Sequence, residues 1–561
     1  MSTRTVLAWS SVLVAIVAML ARHRFFSGDL SCRTIPSDAA WPDISVWAKL
    51  NDTVGGKLVA AVPLAAPCHK TLNGQPRALY DEEKCAVLRD TWFFPETHLE
   101  SPSSPMSYFF SNNTCNPWLG PILHDIREGI RFATKSNIRL VIRNTGHDYL
   151  GKSTGAHSLS IWTHNLKSIE LLGSFSSSEY IGPAVKMGAG VESLEAYKFA
   201  ASHGLVVVGG NCPTVALAGG FIQGGGHGPL ASKYGLAADQ VLEMEVVTPT
   251  GDYLTASATK NTDLFWALRG GGGGTFGVVI SVTVKAFPDT HASTASMMVP
   301  YTGANADALY AAIGSFIQNA LPGLVDAGAF VSWIAAPFGF MVAPTMAPGL
   351  TSAELDQLMQ PMVDTLQAAG LEYQYASVQH ASFLEGYQFY QRGASWNVSD
   401  YNLGGRLIPR DVALERTDVL VEAIRHISTT ALMSGVSYNV THGVKSPDDV
   451  AVHPYFRKTL FGIALGTPLN YTDWSATLAG QDRITKDLVP TLEKITPGGA
   501  AYLNEANFEQ PDFQRTLYGD HYKRLLEIKH KYDPESIMYA KTAVGSENWE
   551  ERDDGRLCRL K

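Results

Sequence analysis

The chain has no block rich in lysine or arginine, although it is 561 residues long, and its formal net charge is −9. Proteins that bind a nucleic-acid backbone use such blocks, because their cations displace the counterions of the phosphates. The chain also lacks the HExxH and CxxC motifs, which are common local spacings of zinc ligands. We therefore expect neither a nucleic-acid partner nor a metal site.

Long hydrophobic runs are scarce as well, and the clearest one lies at the N-terminus. The run from Val6 to Leu20 follows Arg4 and is shorter than the roughly 20 residues that a membrane-spanning helix needs. It predicts a cleaved signal peptide over residues 1–21 and a secreted protein without a stable membrane partner. An uncleaved signal anchor remains open, because basic residues follow the run. N-glycosylation sequons support secretion, at Asn51, Asn112, Asn397, Asn439 and Asn470.

Cysteine is rare, with six residues in the whole chain. This number suits an oxidising compartment in which disulfides form. Because Cys68, Cys85 and Cys115 are close in sequence, we expect one bridge within this group. If Cys212 is reserved for a cofactor, the other five cysteines can pair in several ways that the sequence does not rank.

The order of the predicted elements indicates several domains of the α+β class. Proline and turn-forming residues dominate the first hundred residues, apart from a helical patch near residues 80–92. Short β runs then alternate with helical stretches, the first of them over residues 123–136. Longer strand-like runs follow, with helices predicted over residues 304–319, 352–369 and 411–427, and favour an antiparallel sheet backed by helices. The predicted organisation is an N-terminal extension (22–115), a first α+β domain (116–290), a substrate domain (291–495) and a C-terminal segment returning to the first domain (496–561).

Two reactive side chains follow short apolar runs, each in a glycine-containing turn. His147 follows the run that begins at Ile138, and Cys212 follows the run that begins at Leu205. An imidazole nitrogen and a thiolate are suited to forming covalent bonds with an electrophilic flavin ring. The pair therefore predicts a flavin attached at two positions. A hydrogen-bonded structural histidine and a buried or bridged cysteine are the alternatives.

Glycine is abundant, with 51 residues, and is concentrated in two blocks. Residues 219–228 and 270–277 offer backbone amides that can cradle a pyrophosphate or lie against a flat ring. A set of tight turns is the alternative. Gly272, Gly274 and Gly277 fit the dinucleotide-binding spacing, but no strand precedes them, so we interpret that match as accidental.

The order of these motifs resembles the berberine-bridge-enzyme-like flavoproteins, which are of the vanillyl-alcohol-oxidase or PCMH type. The matching segments span residues 143–148, 209–215, 224–226 and 263–273, and the resemblance extends over nearly the whole chain. It implies a PCMH-type FAD-binding domain over residues 116–290. It also implies an FAD held at its 8α-methyl group by His147 and at ring carbon 6 by Cys212.

The resemblance further implies roles for residues around these two attachment points. Tyr149 matches a position beside the substrate, and Val215 matches the small gate residue of oxygen-reactive members. Phe221 departs from the plant pattern, which has a histidine near the reduced flavin. The implied cofactor-binding residues are His147, Cys212, Arg143, Gly146, Gly210, Thr214, Val215, Gly219, Gly220, Gly224, Gly225, Gly226, Gly272 and Gly277.

Candidates for a catalytic base lie in the C-terminal segment, where Tyr502, Asn504 and Glu505 form the best cluster. The alternatives are a solvated or helix-capping carboxylate for Glu505 and half-buried aromatics for Tyr149 and Tyr502. We interpret His227, which follows the triple glycine, as structural.

The predicted function is FAD-dependent oxidation of a small organic molecule, such as a secondary-metabolite intermediate. Hydride transfer to flavin N5 carries the reaction, and molecular oxygen is the final acceptor. Two alternatives are a non-redox cyclase of the Diels–Alder type and a secreted binding or defence protein.

Overall fold

The computed structural model describes residues 32–72, 75–76, 79–102, 104–107, 123–392 and 400–560. The predicted signal peptide, the sequons at Asn112 and Asn397, and Cys115 lie outside these ranges. Within them, the N-terminal extension contains helices Ile44–Thr53, Glu82–Thr91 and Pro95–Leu99. The second of these confirms the helical patch predicted near residues 80–92.

A helix and a parallel strand pair form the first layer of the cofactor region. Helix Leu123–Lys135 leads into strand Arg139–Arg143, which pairs in parallel with Ser158–Trp162. Asn137 makes the turn between helix and strand with a φ of 51°, a conformation that asparagine tolerates. Apolar residues at helical spacing are buried against the strands, namely Ile126, Ile130 and Ala133.

An antiparallel sheet of five strands forms the second layer of this region. Its strands, in spatial order, are Ile169–Ser176, Ile181–Gly188, Val278–Lys285, Val241–Val247 and Tyr253–Ser257. Strands Val278–Lys285 and Val241–Val247 are rich in valine and largely buried, and β-branched side chains suit such a position between layers. Helices Ser193–Ala201 and Thr262–Ala267 accompany this sheet.

A second antiparallel sheet has seven strands and lies in the substrate region. Its strands, in spatial order, are Gln374–His380, Ala292–Pro300, Gly339–Pro348, Phe330–Ala336, Leu432–Ser437, Thr459–Pro468 and Tyr401–Pro409. The helices that share a buried core with it are Ala306–Ser315, Leu321–Asp326, Ser352–Ala368, Arg410–Glu415, Thr417–Ser428 and Val489–Ile495. The stretch Ala306–Asp326 is long and apolar enough to cross a membrane, but most of it is buried in this core.

A separate buried cluster joins the two regions. Phe330 and Leu407 of the seven-stranded sheet pack there with Tyr438, Val452 and Tyr502. The C-terminal segment also contributes Leu503, Leu517 and Leu525 to the core of the cofactor region, and its helix is Tyr522–Tyr532. Residues from three distant parts of the chain therefore meet at one place.

The described residues contain two disulfides, one within the N-terminal extension and one between this extension and the C-terminal segment. Cys68 bonds with Cys85, which confirms the prediction of a bridge within the early cysteine group. Cys32 bonds with Cys558 and ties the N-terminal extension to the C-terminus, a pairing that the sequence did not indicate. Among the described residues Cys212 is the free cysteine.

The α+β class, with an antiparallel sheet backed by helices, is confirmed. Helices predicted over 123–136, 304–319, 352–369 and 411–427 are present, with small shifts at their ends. Several strands were not predicted, including Ile169–Ser176 and Tyr253–Ser257, because neither segment has a long apolar run. The boundaries of the domains themselves stay a prediction.

We predict that the buried ion pair of the C-terminal helix stabilises the attachment of the tail. Lys529 Nζ contacts Asp533 and donates to the carbonyl oxygens of Thr275, at 2.8 Å, and Met538, at 2.7 Å. Asp533→Asn leaves the buried ammonium group without its counter-charge, so we expect a loss of about 3–5 kcal/mol in the free energy of unfolding.

Lys531→Ala is the matched control, because Lys531 pairs with Asp263 on the exposed side of the same helix. Its cost should be about 1 kcal/mol or less. Chemical denaturation of both variants measures the difference. Equal losses for the two substitutions would contradict a stabilising role for the buried pair.

Candidate active site

The turns that carry His147 and Cys212 meet in space. Strand Arg139–Arg143 ends just before the first turn, and the short strand Leu205–Val206 precedes the second. Cys212 Sγ lies 3.9 Å from His147 Nε2. Thr214 Oγ1 lies between the two groups, 2.8 Å from the imidazole nitrogen and 3.4 Å from the sulfur. Two side chains that are 65 residues apart in sequence are thus neighbours.

The surroundings of this pair favour uncharged forms of both side chains. Burial lowers the pKa of His147 to about 3, and the nearby His98 and Arg143 contribute to this shift. Burial likewise raises the pKa of the Cys212 thiol. Both side chains are nevertheless partly accessible. The imidazole is therefore neutral, and because Nε2 is engaged with Thr214, Nδ1 is the nitrogen without a hydrogen-bond partner among the described residues.

The N-terminal extension forms hydrogen bonds with the His147 turn and with Arg143, which precedes it. Arg143 is fully buried, and its Nη2 donates to the carbonyl oxygens of His98, at 3.2 Å, and Ser104, at 2.6 Å. Met106 N donates to Gly146 O at 3.2 Å. Gly146 has a φ of 87°, and a Cβ atom there would collide with the Arg143 guanidinium group. Arg143 therefore holds the turn in place through the extension.

The two glycine blocks converge beside this turn. A Cβ atom placed on Gly273 would lie 2.9 Å from the Cα of Gly220, and one placed on Gly219 would lie 3.1 Å from the Asn144 amide nitrogen. In contrast, a Cβ atom on Gly220 would have no heavy atom within 4 Å. The blocks form a wall of bare backbone with open space beyond Gly220. This shape fits a cofactor that lies against the main chain.

Two buried polar atoms near the same turn have no hydrogen-bond partner among the described residues, Asn144 Oδ1 and Gln223 Oε1. Such atoms are costly unless another group satisfies them. Together with the open space beyond Gly220, they fit a polar group that is not part of the chain, as FAD would be.

Most of the other predicted cofactor residues are glycines that pack closely against neighbouring side chains. Val215 closes the Cys212 turn, with its amide donating to Cys212 O at 3.4 Å. A Cβ atom on Gly224 would contact Asn504, and one on Gly225 would contact Val452 and Tyr502. A Cβ atom on Gly210 or Gly226 would contact the Phe221 ring. A Cβ atom on Gly272 would contact Leu503, and one on Gly277 would contact Val246. Gly277 thus packs against the five-stranded sheet. The Phe221 ring packs between the Cys212 turn and the triple glycine at 224–226 rather than extending into solvent.

Tyr502 and Asn504 bridge the C-terminal segment to the glycine wall. The Tyr502 hydroxyl oxygen accepts hydrogen bonds from Gly226 N, at 3.1 Å, and from Asn504 Nδ2, at 2.8 Å. Asn504 Nδ2 also donates to Gly220 O at 3.1 Å. Burial raises the pKa of Tyr502, and the charge of Glu505 raises it further. The hydroxyl group therefore keeps its proton and can donate a hydrogen bond to a bound molecule.

Tyr149 and Glu505 belong to the same cluster. Burial raises the pKa of Tyr149, as do the neighbouring Cys212 and Glu505. His227 Nε2 lies 3.0 Å from Glu505 Oε1. A hydrogen bond and the charge of Glu505 thus connect the four predicted catalytic residues, Tyr149, Tyr502, Asn504 and Glu505. Sequence reasoning missed the contact of His227 with Glu505, because the two are 278 residues apart, although a histidine directly after three glycines was a signal.

The turn after His147 also contains residues that match two unrelated sequence motifs. Residues 146–153 match the GxxxxGKS pattern of a phosphate-binding loop, and residues 151–155 match GxSxG. Both patterns require a helix directly after the loop. Here the chain continues through turns into strand Ser158–Trp162, and Lys152 lies 3.7 Å from Asp148. Neither nucleotide hydrolysis nor a nucleophilic serine is supported by this geometry.

Known protein families match both ends of this site. The FAD binding domain family matches residues 123–257, and the family described as berberine and berberine like matches residues 501–545. The FAD-linked oxidoreductase sor8 of Hypocrea jecorina is 41% identical, over 94% of this chain and 93% of its own length. The bifunctional decalin synthase calF of Penicillium decumbens is 40% identical, over 94% of this chain and 96% of its own.

Solved structures agree with this assignment. The VAO-type flavoprotein MtVAO615 of Myceliophthora thermophila superimposes with a TM-score of 0.87 at 36% identity, covering 94% of this chain and 100% of that one. Glucooligosaccharide oxidase of Acremonium strictum shares the fold, with a TM-score of 0.62 at 18% identity over 76% of this chain and 90% of its own. The fold and the site define a VAO-type flavoprotein that binds FAD. The chain belongs to the berberine-bridge-enzyme-like family of FAD-linked oxidoreductases.

We predict that the space beyond Gly220 is needed for the cofactor and not for folding. Gly220→Val adds a side chain where the protein has no atom, so the protein should fold but lose most of its FAD. Gly173→Val is the matched control, because Gly173 is also free of neighbouring atoms but lies in strand Ile169–Ser176. Visible flavin absorbance per protein measures loading. Full loading of the Gly220 variant would contradict the cradle.

Proposed function

We propose that the protein is an oxidase whose FAD is bound covalently to both His147 and Cys212. The observation that carries this proposal is the 3.9 Å approach of Cys212 Sγ to His147 Nε2 in two turns beside a bare backbone wall. Cys212 forms no disulfide, and within the described residues the His147 ring is hydrogen-bonded only to Thr214 and Cys212. This arrangement is difficult to explain as packing alone.

The nitrogen used for attachment follows from the hydrogen bond of Thr214. We propose that Nε2–H donates to Thr214 Oγ1, 2.8 Å away, so that the free lone pair of the neutral imidazole lies on Nδ1. Glucooligosaccharide oxidase of Acremonium strictum carries a 6-S-cysteinyl, 8α-N1-histidyl FAD. We propose the same two positions here, with Arg143, Gly146, Gly210, Thr214, Val215, Gly219, Gly220, Gly224, Gly225, Gly226, Gly272 and Gly277 shaping the site as the resemblance implies.

Bound FAD supplies a two-electron acceptor for a hydride from the substrate. The chain supplies the groups that bind the substrate and move its proton. Tyr502 can donate a hydrogen bond to a substrate oxygen, and Glu505 offers a carboxylate oxygen as a proton acceptor. The charges of Cys212 and Glu505 both raise the pKa of Tyr149, and the resemblance implies that this residue lies beside the substrate. We propose a small organic molecule with an oxidisable C–H bond next to a hydroxyl group.

The cofactor domain of this proposal combines residues 116–290 with the C-terminal segment 496–561, while residues 291–495 cover the substrate side. Shared burial of Leu503, Leu517 and Leu525 with the five-stranded sheet supports this division. Molecular oxygen is the proposed electron acceptor, with Val215 near the flavin as the resemblance implies. The two disulfides are compatible with secretion.

The double attachment is tested by mass spectrometry of tryptic peptides that span residues 147 and 212. We expect the mass of FAD on a cross-linked pair of these peptides in the wild-type protein. His147→Ala and Cys212→Ala should each leave FAD on the remaining peptide, and the double variant should bind FAD without a covalent bond. Unmodified peptides from a yellow wild-type preparation would contradict the proposal.

A non-redox cyclase remains a second candidate, because one relative, calF, is a decalin synthase. The two candidates differ in their need for oxygen. An oxidase turns over a panel of alcohols only aerobically and releases one hydrogen peroxide per product. Sustained anaerobic turnover without peroxide, or no flavin bleaching by any alcohol, would count against the oxidase and favour the cyclase or a binding protein.

A further inference from the structure

His227 and Glu505 form a pair that links the interior of the protein to the open side of the site. The distance from His227 Nε2 to Glu505 Oε1 is 3.0 Å. The His227 residue is buried, with 8% of its surface exposed, whereas the Glu505 side chain is 32% exposed. The histidine therefore lies at the inner end of the pair, and the carboxylate lies at the end that a substrate can reach.

Aromatic packing fixes the plane of the His227 ring. The ring stacks on Tyr438, with centroids 5.5 Å apart and an angle of 20°, and on Phe330, at 6.2 Å and 18°. Tyr502 contacts it from another side at 5.1 Å. The backbone is fixed as well, because a Cβ atom on Gly228 would overlap the carbonyl oxygen of Gly209. The imidazole cannot turn away from Glu505 without disturbing this cluster.

The unpaired nitrogen of His227 indicates its protonation state. Nδ1 is buried and has no hydrogen-bond partner among the described residues. A proton on Nδ1 would be a buried donor without an acceptor, which is unfavourable. Since Glu505 accepts a hydrogen bond, the neutral imidazole carries its proton on Nε2. One carboxylate oxygen is thus occupied by His227, and Oε2 has no hydrogen-bond partner in the part of the chain that the structure describes.

We propose that His227 is a positioning residue that holds Glu505 as the base for substrate oxidation, an inference that rests on the oxidase function proposed above. Among the described residues, His227 hydrogen-bonds to Glu505, and Tyr149, Tyr438 and Tyr502 are close enough for the charge of Glu505 to raise their pKa values.

The proposed oxidation removes one proton and one hydride from the substrate. The substrate hydroxyl group loses its proton to Oε2, so Glu505 becomes a carboxylic acid. The electron pair of the neighbouring C–H bond leaves with its hydrogen as a hydride to oxidised FAD, and a carbonyl group forms. His227 changes neither its charge nor its bonds, and its Nε2–H keeps the other carboxylate oxygen in place throughout.

The first test reads the protonation of His227 without any substrate. The holoenzyme is labelled with ¹⁵N-histidine, and the His227 signals are assigned by their absence in the His227→Phe variant. We expect a proton on Nε2 and a bare Nδ1. A proton on Nδ1 would overturn the proposal, and this outcome does not depend on the oxidase function being correct.

The second test compares substitutions during anaerobic flavin bleaching by the most reactive alcohol of the panel. His227→Gln retains an N–H donor for Glu505, and we expect its rate to stay within about threefold of the wild type. His227→Phe retains the stacked ring but no donor, and Glu505→Gln removes the base. Both should be slower by about 100-fold or more, with the substrate concentration for half-maximal rate nearly unchanged.

Thermal unfolding and flavin content of each variant show whether it folds and loads. Equal bleaching rates for His227→Gln and His227→Phe, both folded and loaded, would reduce His227 to a packing residue and overturn the proposal. If no alcohol bleaches the wild-type flavin, the oxidase function fails and the proposal for Glu505 as its base fails with it. The ¹⁵N measurement then still shows whether Nε2 of His227 carries the proton that the hydrogen bond to Glu505 requires.

Discussion

The structure depends on the contact between two turns that present His147 and Cys212 to the same space. Neither turn could adopt its position alone. Arg143 ties the first to the N-terminal extension through His98 and Ser104, and Thr214 connects the imidazole to the cysteine turn. The bare backbone at Gly220 then borders the space next to them. A cofactor attached at both points would be held with little freedom of movement.

The catalytic side of the site is assembled from the opposite end of the chain. Tyr502 and Asn504 hydrogen-bond to Gly226 and Gly220, so the C-terminal segment completes the glycine wall. Lys529, paired with Asp533, hydrogen-bonds to Thr275 O of the cofactor region, and the Cys32–Cys558 bridge ties the segment to the N-terminal extension. The attached tail therefore completes the site. The family matches at residues 123–257 and 501–545 cover these two parts of it.

Sequence alone predicted those features that local patterns encode. The helix Leu123–Lys135, the strand before His147 and the α+β class follow from periodicity and turn residues. The FAD assignment came from the order of motifs. Contacts between distant residues could not be predicted, because periodicity indicates which face of an element is buried but not which residues cover that face. His227 is the clearest example, since its hydrogen-bond partner Glu505 is 278 residues away in the sequence.

The central claim is that one FAD is bonded to two side chains, and acid precipitation of the purified holoenzyme tests it most directly. Strong acid unfolds the protein and releases any flavin that is held only by contacts. The account predicts a yellow pellet and a colourless supernatant for the wild type, and for each single variant at residue 147 or 212. A yellow supernatant over a colourless wild-type pellet would contradict it.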